Sequence, residues 1–154
     1  MKIILNKNKV KKLLQNEKSI GFVPTMGGLH KGHLSLIDKS KTQCKTTVVS
    51  IYVNRQQFND KSDYTSYPRN LKKDISILKR AKVNYLFIPK KKDIYYKKRI
   101  NEIKINSLEN KLCGKFRPGH FKSVVDVVDR FISIINPNKI YFGEKDMQQL
   151  KIIQ

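Results

Sequence analysis

Three histidines and seven glycines occur in this chain of 154 residues, and they fall within three short segments: Gly21–His33, Cys113–Phe121 and Tyr141–Gln149. The first segment, GFVPTMGGLHKGH, runs from an apolar strand through a glycine-containing turn into a helix expected to start near Gly32. Such a junction leaves backbone N–H groups unpaired and aims the positive end of a helix dipole at the space above it, which suits phosphate. Gly27 and Gly28 permit close approach of backbone to ligand. His30 and His33 put two imidazoles at the mouth of one site, where they can donate hydrogen bonds to charge developing on a transferring phosphate. Alone, H-x-x-H reads as a turn with two exposed histidines, and a zinc pair needs further ligands that this sequence does not supply. No GxxxxGK[ST] pattern is present, which excludes a P-loop. The strand before and the helix after favour nucleotide binding.

The elements that must position this turn follow from hydrophobic periodicity. Short β-branched or aromatic runs at Ile20–Val23, Thr47–Val53, Tyr85–Ile88, Glu102–Ile105 and Lys139–Phe142 predict strands. Longer amphipathic stretches at Lys7–Gln15, Gly32–Gln43, Leu71–Lys82, Phe121–Ile135 and from Asp146 onward predict helices. In the fourth, Phe121, Val124, Val125, Val128, Phe131, Ile132 and Ile135 recur every three or four residues, and Asn136-Pro137-Asn138 stops it. The alternation predicts an α/β fold, a mainly parallel sheet with flanking helices, in one domain over residues 1–154. Lysines at 90–92 and 97–98 with Arg99 flank Asp93–Tyr96 and predict a solvated loop. The last residues, LKIIQ, stand inside an expected helix with no capping Gly or Pro.

The net charge of +21 points first to nucleic acid. Yet only six of the 33 basic residues are arginine, the residue suited to bidentate phosphate and base contacts. The lysines spread from Lys2 to Lys151 and accompany an excess of Ile and Asn, which reads as solvated surface rather than a nucleic-acid face. No run of 18 apolar residues and no signal-peptide pattern occurs, so a cytoplasmic protein without a membrane partner is expected. Cys44 and Cys113 lack metal or disulfide spacing and read as buried free thiols.

The segment PTMGGLHKGHLSLI resembles the signature of the pantothenate synthetase (pantoate–β-alanine ligase) family, one of the HxGH nucleotidylyltransferases built on a Rossmann-like fold. VVSIYVN followed by Gln57-Phe58, then DYTSYPRN, KFRPGHF and IYFGEKDMQQL are similar to that family in the same order, so the likeness covers essentially the whole chain. It implies an ATP-dependent, magnesium-requiring ligase: pantoate's carboxylate attacks the α-phosphorus of ATP to give pantoyl adenylate and pyrophosphate, and β-alanine's amine then displaces AMP. It further implies small-molecule partners only and a homodimer.

By the same resemblance Met26, Gly27, Gly28, Leu29, His30, Lys31, Gly32 and His33 form the ATP-binding turn, with His33 and His30 catalytic. Gly143, Glu144, Lys145 and Asp146 follow another strand, where open α/β sheets bind ligands. Lys145 would be a catalytic point charge on phosphate, and Asp146 would accept from a nucleotide hydroxyl or hold metal through water, the metal ligands themselves remaining unassigned. Gln57 and Gln149 match the pantoate-binding glutamines, with Gln57 also reaching β-alanine; an amide offers both donors and an acceptor. Arg117 is an expected anion clamp and His120 a structural residue.

Two departures from the family pattern stand out. Asn54-Arg55-Gln56-Gln57-Phe58 replaces Asn-Pro-Met-Gln-Phe, so Arg55 is expected to loosen the segment presenting Gln57 and to add charge beside it. Family members also continue for roughly as many residues again, through a Ser-Ser-Arg-Asn loop that closes over the phosphates. Nothing here matches that loop, so the expectation is the N-terminal domain without the family's C-terminal one. A non-catalytic nucleotide- or RNA-binding remnant and another HxGH nucleotidylyltransferase stay open as alternatives.

Overall fold

The computed structural model describes residues 1–97, 105 and 107–154. In chain order the elements are β1 (Lys2–Ile4), α1 (Lys7–Leu14), β2 (Ile20–Thr25), α2 (Lys31–Gln43), β3 (Thr46–Ile51), α3 (Lys61–Ser66), α4 (Leu71–Arg80), β4 (Tyr85–Phe87), α5 (Lys91–Ile94), α6 (Cys113–Phe116), α7 (His120–Ile135), β5 (Lys139–Ile140) and α8 (Met147–Ile153). Among the described residues five strands form one sheet in the order β1-β4-β3-β2-β5, every neighbouring pair parallel. This is the parallel α/β sheet that the periodicity predicts and the Rossmann-like fold that the resemblance implies.

Side chains alternate across the sheet. Phe22, Val48 and Phe87 point to one layer with Val10 of α1 and Val124, Val128 and Phe131 of α7. Val23, Val49 and Leu86 point to the other, with Ile37 of α2 and Leu78 of α4. All six residues of β3 are buried, as expected for a parallel strand covered on both faces. Phe131 lies within 5.4 Å of the Phe22 ring and 6.1 Å of Phe87, centroid to centroid, so α7 is the main clamp on its layer.

The chain steps from β2 through β3 to β4 in one direction and then returns to place β5 on the other side of β2, a reversal that opens a crevice at the strand ends. The β2–β5 ladder is short, with Gly21 opposite Lys139 and Phe22 opposite Ile140, and its last bond runs from Tyr141 N–H to Phe22 O at 2.9 Å. Alternate residues face β5, so the next donor on that side would be residue 24, which is proline and has none. The two strands part there.

Several expectations shift. The strand expected over Thr47–Val53 ends at Ile51 and that over Lys139–Phe142 at Ile140, because the chain turns into the crevice at both points. The edge strand β1 and the short helices α3, α5 and α6 carry too few residues to show a period. Glu102–Ile105 lies outside the described residues except for Ile105, which has no regular structure. The solvated loop expected around Asp93 is instead helix α5 with Asp93 and Ile94 buried: Asp93 accepts the N–H groups of Lys7 and Lys90, tying α5 to the start of α1. Cys44 is a buried free thiol, but Cys113 is exposed, since it opens the surface helix α6. No helix among the described residues is long and apolar enough to cross a membrane.

Candidate active site

The β2–α2 junction is built from the inside. Thr25 donates its hydroxyl to Ser50 O at 2.7 Å and accepts the Gly27 N–H at 3.2 Å, fixing the end of β2. Gly27 and Gly28 both have positive φ, +85° and +64°, so the following N–H groups converge into a concave nest. That nest is filled by the protein itself: Asp74 of α4 accepts Gly28 N–H at 3.0 Å and Leu29 N–H at 2.9 Å. The N–H groups of Gly28 and Leu29 are thus committed internally, and Leu29 is a core residue. These are not the phosphate donors that the glycine turn suggests.

His30 caps α2 with its side chain. Its Nδ1 accepts Gly32 N–H at 3.1 Å and takes the N–H of His33, while His33 Nδ1 accepts the His30 N–H at 3.4 Å, a reciprocal capping box made by two imidazoles. A backbone N–H can only donate, so both Nδ1 atoms are unprotonated and each neutral ring carries its hydrogen on Nε2. The ring centroids lie 4.2 Å apart. Glycine at 32 leaves room for this ring: a Cβ there would stand 2.9 Å from His30 Cε1. Burial lowers the His33 pKa and the neighbouring His30 imidazole lowers it further, since two protonated rings would repel, against the upward pull of the Asp74 and Asp146 carboxylates.

Above this cap lies a cavity of about 640 Å³ at the sheet's switch point. Met26, His30, Gly32 and His33 line it from the β2–α2 turn, and Gly143, Glu144, Lys145 and Asp146 from the end of β5. Tyr52, Asn54 and Gln57 reach it from beyond β3, and Gln149 from α8. Val124, Val127, Val128 and Phe131 of α7 make an apolar wall. The structure therefore brings together ten of the residues expected from sequence. Gly27, Gly28, Leu29 and Lys31 stay outside the lining, with Lys31 turned to solvent.

Gln57 is buried in a single 3-10 turn, Arg55–Gln57, that Asn54 caps by accepting Gln56 N–H at 3.4 Å. Its carbonyl accepts from His120 Nδ1 at 2.8 Å and from Arg117 at 3.4 Å. A carbonyl only accepts, so His120 carries its proton on Nδ1. Burial lowers the His120 pKa, the bond to Gln57 raises it, and the Arg117 charge lowers it again. Arg117 thus reaches the back of Gln57 and is not among the cavity-lining residues, and His120 supports Gln57 from the same side. The turn forms without the proline: the Arg55 guanidinium donates to Phe58 O at 2.8 Å and sits 5.4 Å over the Tyr64 ring, outside the cavity lining.

Tyr52, Asn54, Tyr67 and Asp74 are the residues that sequence reasoning misses. Asp74 had a signal: with Leu71, Ile75 and Leu78 at helical spacing it falls on the apolar face of α4, where a carboxylate must find donors. Asn54 is 1% exposed, with its amide between Tyr95 and Ser123. Tyr52 is pushed up to about 12, first by burial and then by Tyr64, and stays a neutral phenol. Among the described residues no group of three His, Cys, Asp or Glu side chains is placed to hold a metal alone. Glu144 and Asp146 at the cavity fit a cation that takes most of its oxygens from phosphate and water.

A family model for pantoate-β-alanine ligase matches residues 2–154. The pantothenate synthetase of Pseudothermotoga lettingae is 48% identical over the whole of this chain and 56% of its own length. That of Thermosipho africanus is 44% identical over all of this chain and 57% of its own length. Among solved structures, a pantothenate synthetase from Thermus thermophilus superposes with a TM-score of 0.92 at 36% identity, over 99% of this chain and 55% of that one. The pantoate-β-alanine ligase of Francisella tularensis, complexed with β,γ-ATP and β-alanine, gives 0.93 at 43% identity, over 99% and 60%. The chain spans little more than half the length of these relatives. Matched by that model over all but its first residue, and by relatives at this identity over its whole length, the chain belongs to the pantoate-β-alanine ligase family.

Proposed function

We propose that this chain carries the adenylation centre of a pantoate–β-alanine ligase. The observation that carries the reading is the pair of Nε2–H imidazoles bordering the same cavity as Lys145, Gln57 and Gln149. In the first step a pantoate carboxylate oxygen bonds to the α-phosphorus of ATP, and the bond to the bridging oxygen breaks to release pyrophosphate. Negative charge grows on the non-bridging and leaving oxygens, where His30, His33 and Lys145 supply preorganised positive ends without needing to move. Met26 and Gly143 bring backbone to the nucleotide, and Glu144 borders the phosphate end. Magnesium, held through Asp146 and Glu144 together with phosphate oxygens, would neutralise part of the triphosphate charge.

Gln57 and Gln149 offer paired donors and acceptors to pantoate's hydroxyls and carboxylate, and the valine wall of α7 suits its two methyl groups. In the second step the β-alanine amine, beside Gln57, bonds to the acyl carbon, AMP leaves as the acyl–oxygen bond breaks, and the amine loses a proton. The family's homodimeric and cytoplasmic habit belongs to the same reading, and light scattering tests the dimer. The surface lysines are read as solvated rather than as a nucleic-acid face.

The deciding experiment is pantoate-dependent exchange of labelled pyrophosphate into ATP, accompanied by calorimetry with ATP and magnesium. Exchange that needs pantoate and vanishes in His33→Ala supports the reading. ATP binding without any effect of pantoate points to another nucleotidylyl transfer, and salt-sensitive RNA binding indifferent to His33→Ala points to a remnant.

A further inference from the structure

Asp74 is the buried acid beside the cavity that the proposed chemistry does not use. It lies on α4, 3% exposed and more than forty residues along the chain from the turn it touches. A carboxylate in such a place is costly unless its oxygens are satisfied. Each oxygen takes one turn N–H: Gly28 on Oδ2 and Leu29 on Oδ1. The fit is mutual, since a Cβ on Gly27 would stand 3.0 Å from Oδ2 and both glycines are in the left-handed region. Leu29 is anchored in the core, and the next residue is His30, whose ring begins the cap.

We infer that Asp74 is a positioning residue for the paired histidines: by holding the N–H groups of Gly28 and Leu29 it sets where the His30 and His33 rings stand against the cavity. One chain step separates the anchored Leu29 N–H from His30, and His30 Nδ1 in turn holds Gly32 and His33. The carboxylate therefore controls both rings although it lines no part of the cavity. Its charge also acts on His33 across the turn. The groups facing His33 are His30 in its own segment, Asp74 from α4 and Asp146 from beyond β5, so Asp74 opposes the lowering by burial and by His30. The inference rests on the adenylation reading only for its effect on ATP.

The test is Asp74→Asn in the full 154-residue chain, with Asp93→Asn as control. Asp93 is a buried carboxylate of the same kind, 5% exposed and bonded to two backbone N–H groups, but it ties α5 to α1 away from the cavity. Asparagine keeps the size of Asp74 but turns one acceptor into a donor facing an N–H, a loss expected to weaken ATP–magnesium binding about tenfold. NMR should show the Gly28 and Leu29 amide protons moving upfield and exchanging faster, and the His33 ring titrating at lower pH than in the parent. Asp93→Asn should leave the His33 titration alone. An Asp74→Asn protein whose two amides and His33 titration match the parent overturns the inference, as does the same His33 shift in Asp93→Asn. Should the parent fail to bind ATP, the adenylation reading falls while the NMR readouts still decide this one. If Asp74→Asn does not fold, the parent decides: Gly28 and Leu29 amides protected from exchange support the inference, and amides exchanging like exposed ones overturn it.

Discussion

His33 Nδ1 accepts the backbone N–H of His30 while His30 Nδ1 takes the N–H of His33, so each ring is locked in the tautomer that leaves Nε2–H for a ligand. A proton added to either Nδ1 would face a backbone N–H. The cap and the proposed donors therefore depend on the same neutral state.

Stability should fall with acid. His33 and His120 both titrate below the ordinary 6.5 in the folded chain, chiefly through burial. As pH drops through 6.5 the unfolded chain takes up protons that the folded one still refuses, so unfolding is favoured progressively until the folded-state values are reached; above 6.5 these two groups contribute nothing. Urea midpoints between about pH 8 and pH 5 check this. A midpoint that stays flat or rises on acidification would be incompatible with neutral rings.

His33→Asn separates the cap from the chemistry. The Asn side-chain oxygen replaces Nδ1 as acceptor for His30 N–H, but no donor takes the place of Nε2–H. Thermal stability should stay within about 1 kcal/mol of the parent, while pyrophosphate exchange drops by about 10² to 10³, the usual loss for one preorganised donor. Exchange retained near the parent rate would remove His33 from the reaction.

Gly32→Ala should leave stability nearly unchanged and still damage binding. Alanine gains about 0.8–1 kcal/mol of helix propensity, whereas displacing the His30 ring costs a cap of about 1 kcal/mol. The new methyl would stand 2.9 Å from Cε1, so the ring must move. Calorimetry should show ATP affinity falling about tenfold, a loss of about 1.4 kcal/mol; unaltered affinity would mean that the ring position does not matter.

His120→Ala frees the carbonyl of Gln57 on its far side. Losing that bond should cost about 1 kcal/mol and appear as weaker pantoate binding with ATP binding intact. Equal loss for both ligands would instead indicate general damage to the N-terminus of α7.

What was legible in the sequence was periodic or scarce. Helix α7 repeats its apolar residues over its whole length, and it begins within one residue of the expected start. Glycines and histidines are few, and two of the three segments that hold them, those containing His30–His33 and Gly143, border the cavity. What could not be read was reciprocal. The glycine turn looked like an anion nest and is one, but its anion is Asp74, which only the packing of α4 against the turn brings near. Arg55 looked like a disruption because its partners, Phe58 O and the Tyr64 ring, depend on how the chain folds back after the turn.

Because Pro24 carries no N–H, the ladder between β2 and β5 has no donor to continue with beyond Phe22, whether or not a ligand is near. No hydrogen-bonded pair of strands has to be unzipped for a substrate to enter.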